Sequence, residues 1–265
     1  MILLNDHNIT PTIFPDKTSQ VWNIDPKIVK NHNVIHWEFE SESELIHVAQ
    51  LKDLVDQINP EGETSLFMPY LPYARQDKAV QNDQTFALRT FAKIINSLNF
   101  SLVETLDAHS EKCYLINNMC NLYGSGEVTD TLSVLDMENK EEVIIAYPDE
   151  GANVRYSRWY DYYPKVIGTK ERDQQTGYIK KYIIQGNPDG KKVLMIDDIC
   201  DGGMTFILMA KELYAQGAKE VNLFVTHGIF SKGIKPLKEA GIKRIFTRKG
   251  EIFESKDTNY IYKEF

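Results

Sequence analysis

Apolar residues recur along this chain with two different periods, and the alternation between them predicts its architecture. In "SELIHVAQLKDLVDQI", Ser43 to Ile58, the residues Leu45, Val48, Leu51, Leu54, Val55 and Ile58 fall on one face of a helix. Ser41 and Glu44 stand at capping-box spacing at its start. A strand-like run follows in "TSLFMPYL" (64–71), then a polar loop through Asp83, an amphipathic helix in "TFALRTFAKIINSL" (85–98) and a second strand in "SLVETLD" (101–107). The second half repeats the scheme. Its short apolar runs are "EEVIIAYPDE" (141–150), "YPKVIG" (163–168), "KKVLMIDD" (191–198) and "EVNLFVTHG" (220–228), and "GMTFILMAKELYAQG" (203–217) is its clearest helix. Strand and helix in alternation imply parallel sheets flanked by helices. The expectation is an α/β chain of two units, 1–128 and 129–265, with the boundary near Gly126–Asp130.

Length and composition agree with that picture. The 265 residues suffice for one large or two modest domains, and 42% hydrophobic with 26% charged residues is an ordinary globular balance. No apolar run is long enough to span a bilayer, and "MILLNDHNIT" lacks the basic and apolar regions of an export signal. Cys113, Cys120 and Cys200 form no CxxC pair and suggest no disulfide framework. A reducing, cytoplasmic setting is expected, without a membrane partner. The formal net charge of -8 argues against a nucleic-acid partner, because backbone binders rely on clustered lysine and arginine. Any phosphate is expected on a small molecule.

Ligands of open α/β sheets bind beyond the carboxyl ends of the strands. Four such ends carry unusual chemistry here: "PYARQDK" from Pro72, "DAHSEK" from Asp107, "PDEGANVR" from Pro148, and "VLMIDDICDGGMTF", Val193 to Phe206. In the last, Asp197 and Asp198 close a strand, and Asp201, Gly202 and Gly203 lead into a helix. Carboxylates at a strand end accept hydrogen bonds from vicinal sugar hydroxyls or hold a divalent cation, while paired glycines let backbone N–H groups approach a phosphate at the helix start. A solvated turn with an aspartate cap explains one Asp-Gly pair. It does not explain the strict succession of apolar strand, double acid, Gly-Gly and helix, which favours a phosphate–sugar site.

"VLMIDDICDGGMTF" resembles the phosphoribosyl-diphosphate loop of type I phosphoribosyltransferases and their relatives. "PYLPYARQDK", Pro69 to Lys78, resembles the ATP-binding stretch of ribose-phosphate pyrophosphokinases, which make that compound. The resemblance extends through "LDAHSEK", "NLYGSG", "YPDEGANVR", "TKER" and "VTHGIFS", and "FPDKTSQV" is similar to a shortened form of the segment that reaches into a neighbouring subunit's adenine pocket. It implies two type I phosphoribosyltransferase-like units, and transfer of a diphosphoryl group from ATP to the anomeric hydroxyl of ribose 5-phosphate. Lys170 and Arg172 would be catalytic. Phe14, Asp16, Arg75, Gln76, Asp77 and His109 would bind ATP, and His109 and Asp149 would hold magnesium. Asp197, Asp198, Asp201, Gly202, Gly203, Met204 and Thr205 would bind the ribose phosphate. If Phe14 completes a partner's pocket, the protein is a homo-oligomer, at least a dimer. Tyr70, Tyr73 and His227 read as structural.

The chain also departs from the pattern. Glu150 stands where relatives often carry histidine, and Lys17-Thr18 where Gly-Glu is expected. Relatives commonly present Asp-Thr-x-Gly-Thr, so Gly202 removes a hydroxyl donor and opens space beside the 5-phosphate. That keeps a substituted acceptor such as ADP-ribose as an alternative. Two other readings are an inert regulatory homologue and a phosphoribosyltransferase that consumes the diphosphate. The presence of "YARQDK", Lys170 and Arg172 disfavours the phosphoribosyltransferase, and that of the metal and loop residues disfavours the inert homologue.

Overall fold

The computed structural model describes residues 1–172, 179–254 and 261–263; of residues 171–172, 179–181 and 261–263 only the backbone is described. The chain divides into two compact units, Met1–Tyr123 and Gly124–Phe265. Residues 126–130, where the sequence suggested a break, are helical and belong to the second unit. The hydroxyls of Thr129 and Thr131 bond the carbonyls of Ser125 and Glu127 within that helix.

The first unit runs β1 (Ile2–Leu4), β2 (His7–Asn8), β3 (Thr12–Ile13), β4 (Ser19–Gln20), β5 (His32–Trp37), α1 (Glu44–Ile58), β6 (Glu63–Met68), α2 (Ala87–Ser97), β7 (Val103–Leu106) and β8 (Met119–Leu122). Its main sheet has the order β2-β1-β5-β6-β7-β8, parallel from β5 to β8, while β3 and β4 form a separate hairpin. Leu4, Ile35, Trp37, Leu51, Leu66, Met68 and Leu88 are withdrawn from water, each contributing about 1.5–3 kcal/mol by burial. The anticipated face of α1 provides Val48, Leu51 and Val55 to this core. Half of its capping box forms: the Glu44 carboxylate accepts from the Glu40 and Ser41 N–H groups, at 2.8 and 3.3 Å, and from Trp37 Nε1 at 2.9 Å. The Ser41 hydroxyl turns instead to Ser43, 2.8 Å away.

The second unit runs α3 (Ser125–Val134), β9 (Val143–Tyr147), α4 (Glu150–Tyr160), β10 (Lys165–Arg172), β11 (Ile179–Gln185), β12 (Lys192–Cys200), α5 (Met204–Ala215), β13 (Glu220–Gly228), α6 (Lys235–Glu239), β14 (Ile242–Thr247), β15 (Gly250–Phe253) and β16 (Ile261–Lys263). One sheet, β11-β10-β9-β12-β13-β14-β15-β16, holds them together. The central five strands are parallel, and β11, β15 and β16 are antiparallel additions at its edges. Alternation along β12 serves both faces. Leu194 and Ile196 pack with Ala152, Tyr156 and Tyr160, whereas Val193 and Met195 pack with Phe206, Met209 and Leu213. The fold is thus α/β with two sheet units flanked by helices. Among the described residues no helix is long and apolar enough to cross a membrane.

Candidate active site

In the first unit, the turns after β6 and β7 are tied together. Leu106 N–H bonds Pro69 O at 3.1 Å, and Ala108 N–H bonds Asn121 Oδ1 at 2.9 Å. Tyr73 (φ 63°) and Asp107 (φ 46°) take left-handed conformations, unusual for residues with a side chain, where the chain leaves the sheet. Asp77 joins the turns, because its carboxylate accepts from Ser110 Oγ at 2.7 Å while Lys112 Nζ donates to its carbonyl at 2.7 Å. Partial burial opposes ionisation of Asp77, but the Ser110 hydroxyl and the charges of Lys112, His109 and Lys78 outweigh it and hold the carboxyl below its ordinary value. Arg75, Gln76 and His109 are exposed beside it. Tyr73 packs on Phe91 at 5.3 Å and bonds Glu42 through its hydroxyl at 2.6 Å.

Phe14 and Asp16 lie on the β3–β4 hairpin, which forms a sheet of its own. Gln50 of α1 anchors the hairpin by accepting from Val21 N–H at 2.8 Å and donating to Ser19 O at 3.0 Å. A groove of about 500 Å3 lies between them, lined in part by Phe14, Gln20, Gln50, Asp53 and Leu54. Asp16 accepts from the hydroxyl and N–H of Thr18, at 2.7 and 3.0 Å, and both bonds hold its carboxyl low. The Thr18 that replaces the expected glutamate therefore occupies the aspartate.

In the second unit, β10, β9, β12 and β13 are parallel neighbours, so their carboxyl ends share one edge. Asp149 caps α4 there: Oδ1 accepts from Ala152 N–H at 3.1 Å, and Oδ2 lies 3.1 Å from Lys170 Nζ. Glu150 turns onto its own helix and accepts from Asn153 Nδ2 at 2.9 Å. Arg172 ends β10, and its side chain lies outside the described residues. Asp198 is buried and pairs with Arg155 of α4 at 3.1 Å. Asp197 accepts from the N–H of Asp198 at 2.9 Å; burial, then the charges of Asp198 and Asp149, push its carboxyl well above the ordinary range. The two aspartates thus have unequal surroundings.

The loop from Asp201 to Thr205 leads into α5. Gly203 has φ 75° and is buried where a Cβ would lie 2.9 Å from Leu237 Cδ2, so the turn requires glycine. Met204 and Thr205 then open α5, whose first N–H groups have no partner within the helix. The Met204 side chain is exposed and does not fill the loop. The turn after β13 braces it: Ser231 Oγ donates to Asp201 Oδ1 at 2.6 Å, and Ile229 and Phe230 N–H groups bond Cys200 O. Beside Gly202 the nearest atoms to an added Cβ would be Lys232 Cδ and Cε, each 3.7 Å away.

Comparison with known proteins bears on these strand ends. A family model described as the phosphoribosyl transferase domain matches residues 162–260. Ribose-phosphate pyrophosphokinase 4 of Arabidopsis thaliana is 29% identical over 175 residues, covering 63% of this chain and 51% of the relative. A ribose-phosphate pyrophosphokinase of Oceanobacillus iheyensis is 29% identical over 203 residues, covering 75% and 64%. The chain is thus similar to ribose-phosphate pyrophosphokinases. It spans one half to two thirds of the length of those two relatives. The crystal structure of phosphoribosylpyrophosphate synthetase from Mycobacterium smegmatis has the same fold, with a TM-score of 0.76 and 19% identity over 91% of this chain and 79% of that one.

Several contacts at these strand ends were not legible in the sequence. Arg155 carried no assigned role within "PDEGANVR", since its partner Asp198 is remote in sequence. Ser110, Ser231 and Lys232 were equally silent. Their only signal was position in a turn after a strand end, next to a residue already singled out.

Proposed function

We propose that the chain transfers the β,γ-diphosphoryl group of ATP to the anomeric hydroxyl of a ribose 5-phosphate-containing acceptor, releasing AMP. The observation that carries this reading is the shared edge of the parallel neighbours β10, β9 and β12, where Lys170 lies toward the end of β10, Asp149 follows β9, and the Asp197–Asp198 pair lies toward the end of β12 with the Gly202–Thr205 loop after it. Such an edge offers a cation for the transferred group, carboxylates for sugar hydroxyls and a helix start for a phosphate. Arg75, Gln76 and Asp77 would hold the nucleotide, with Phe14 and Asp16 toward its adenine, in an assembly of at least two chains.

No group of three or more His, Cys, Asp and Glu side chains suited to a metal occurs among the described residues. Magnesium does not need one, because it binds through one or two carboxylates together with water and substrate phosphates. Asp149 fits, since its side chain is 47% exposed and offers hard oxygen donors. Magnesium bound with ATP would supply positive charge to the phosphate oxygens. Lys170 would move from Asp149 to the transferred group, and Arg172 would assist.

The acceptor hydroxyls would hydrogen-bond Asp197 and Asp198, with Arg155 fixing the second. Its 5-phosphate would rest on the N–H groups opening α5. The room beside Gly202 for at least a methyl group, with the stem of Lys232 as its nearest described neighbour, supports ADP-ribose as the second reading of the acceptor. The decisive experiment follows AMP release and product mass with ATP, magnesium and either ribose 5-phosphate or ADP-ribose. Phosphoribosyl diphosphate identifies the simple acceptor, ADP-ribose 1-diphosphate the substituted one, and AMP from neither rejects the transfer.

A further inference from the structure

Tyr182 of β11 is the ladder partner of Lys170 of β10, so the two side chains stand on one face of the sheet. The Tyr182 hydroxyl donates to the carbonyl of Pro148 at 2.6 Å, immediately before Asp149. It passes directly over Gly168, where a Cβ would lie 2.0 Å from Tyr182 Oη and 2.7 Å from Pro148 O. Lys170 Nζ in turn reaches Asp149 Oδ2 at 3.1 Å. These contacts close a ring: Pro148 to Asp149 through the chain, Asp149 to Lys170 by charge, Lys170 to Tyr182 across the ladder, and Tyr182 back to Pro148.

Tyr182 is 7% exposed. Burial first, and the charges of Asp149 and Asp197 next, push its phenol upward, so the hydroxyl remains a donor rather than a titrating acid. We propose that Tyr182 is a positioning residue, which locks β10 to the Asp149 turn so that Lys170 is presented where that turn receives a phosphate-bearing ligand. The inference rests on the transfer reaction proposed above. Gly168 is part of the device, because any side chain there would expel the tyrosine from its partner.

The test compares full-length wild type with Tyr182→Phe, Lys170→Ala and the double variant. Tyr182→Phe is expected to lower kcat roughly tenfold with the KM for ATP held within about twofold. In the Lys170→Ala background the same change should cost less than about twofold, since a residue acting through Lys170 has nothing left to position. Full additivity overturns the proposal, because damage independent of Lys170 would repeat in that background. Gly168→Ala is an independent variant and should reproduce the loss.

Acetylation with dilute acetic anhydride, followed by peptide mass spectrometry, supplies a readout that needs no turnover. Lys170 should label several-fold faster in Tyr182→Phe, with Lys191 and Lys219 unchanged. An unchanged Lys170 rate overturns the positioning role even in an active enzyme. If wild type releases no AMP with either acceptor, the transfer reading fails, and the labelling rates still decide for or against Tyr182.

Discussion

Replacing Arg155 by methionine tests how far the buried Asp198 of β12 depends on its ion pair with that residue. The Asp198 side chain is 4% exposed and that of Arg155 17%, with 3.1 Å between charged atoms. At an effective dielectric of about 20, charges at that distance attract by roughly 5 kcal/mol. Deleting one partner of a buried pair costs about 3–5 kcal/mol, because the remaining charge stays desolvated. Methionine retains an apolar stem, so little of this loss is packing. We expect Arg155→Met to destabilise the second unit by about 3 kcal/mol, roughly a 10 °C fall in Tm for a unit of this size. Adding Asp198→Asn, which removes the stranded charge, should recover most of that stability. Urea unfolding and calorimetry measure both effects. Acceptor KM should rise in Arg155→Met while ATP KM holds, since Asp198 loses its orientation. A loss below about 1 kcal/mol, or a double variant no more stable than the single one, refutes the argument.

Three further predictions address other parts of the site. Gly203→Ala meets both a left-handed backbone and Leu237, so it should cost about 2 kcal/mol or more in urea unfolding, whereas Gly202→Ala, with 3.7 Å of clearance, should change stability by less than about 0.5 kcal/mol. Lys170→Met frees one oxygen of Asp149; because that carboxylate is 47% exposed and the pair is screened, manganese binding to nucleotide-free protein should tighten only about two- to fivefold, read by electron paramagnetic resonance. The Asp77 carboxyl is held below its ordinary 3.8, so its contribution to stability is present above the unfolded value and is lost as pH falls through the folded one. Ser110→Ala should move its titration upward in carbon NMR, and an unmoved curve would show that the hydroxyl is not the cause.

The long amphipathic helices and the fully apolar strands were legible in the sequence because each repeats one period for several turns or residues. Strands β5 and β8 were not. β5, "HNVIHW", buries Asn33, Ile35 and Trp37 on alternate positions, but an asparagine among them and Val34 on the outer face obscure the pattern. Asn33 is inward because its side chain accepts from Lys30 N–H and donates to Lys30 O, each at 2.8 Å, a local turn contact that no hydropathy pattern records. At the site, residue type and strand-end position sufficed to single out Asp149 and Asp197–Thr205, whereas Lys170 was marked only by the resemblance of "TKER" to a family segment. The partners of those residues were hidden: Arg155, Tyr182 and Ser231 act across strands and turns, and sheet order rather than chain order makes them neighbours.

The crossing of Tyr182 over Gly168 also constrains how this sequence could have diverged. A side chain at 168 and a tyrosine at 182 exclude each other, so neither position drifts freely while the other is kept. Losing the hydroxyl first would leave the Pro148 carbonyl without its donor, and gaining a methyl first would drive the ring out of its place. Divergence at these positions is therefore expected as a coupled exchange, and a library randomised at both sites should return Gly168 with Tyr182, or a larger residue with a smaller one, far more often than independent sampling allows.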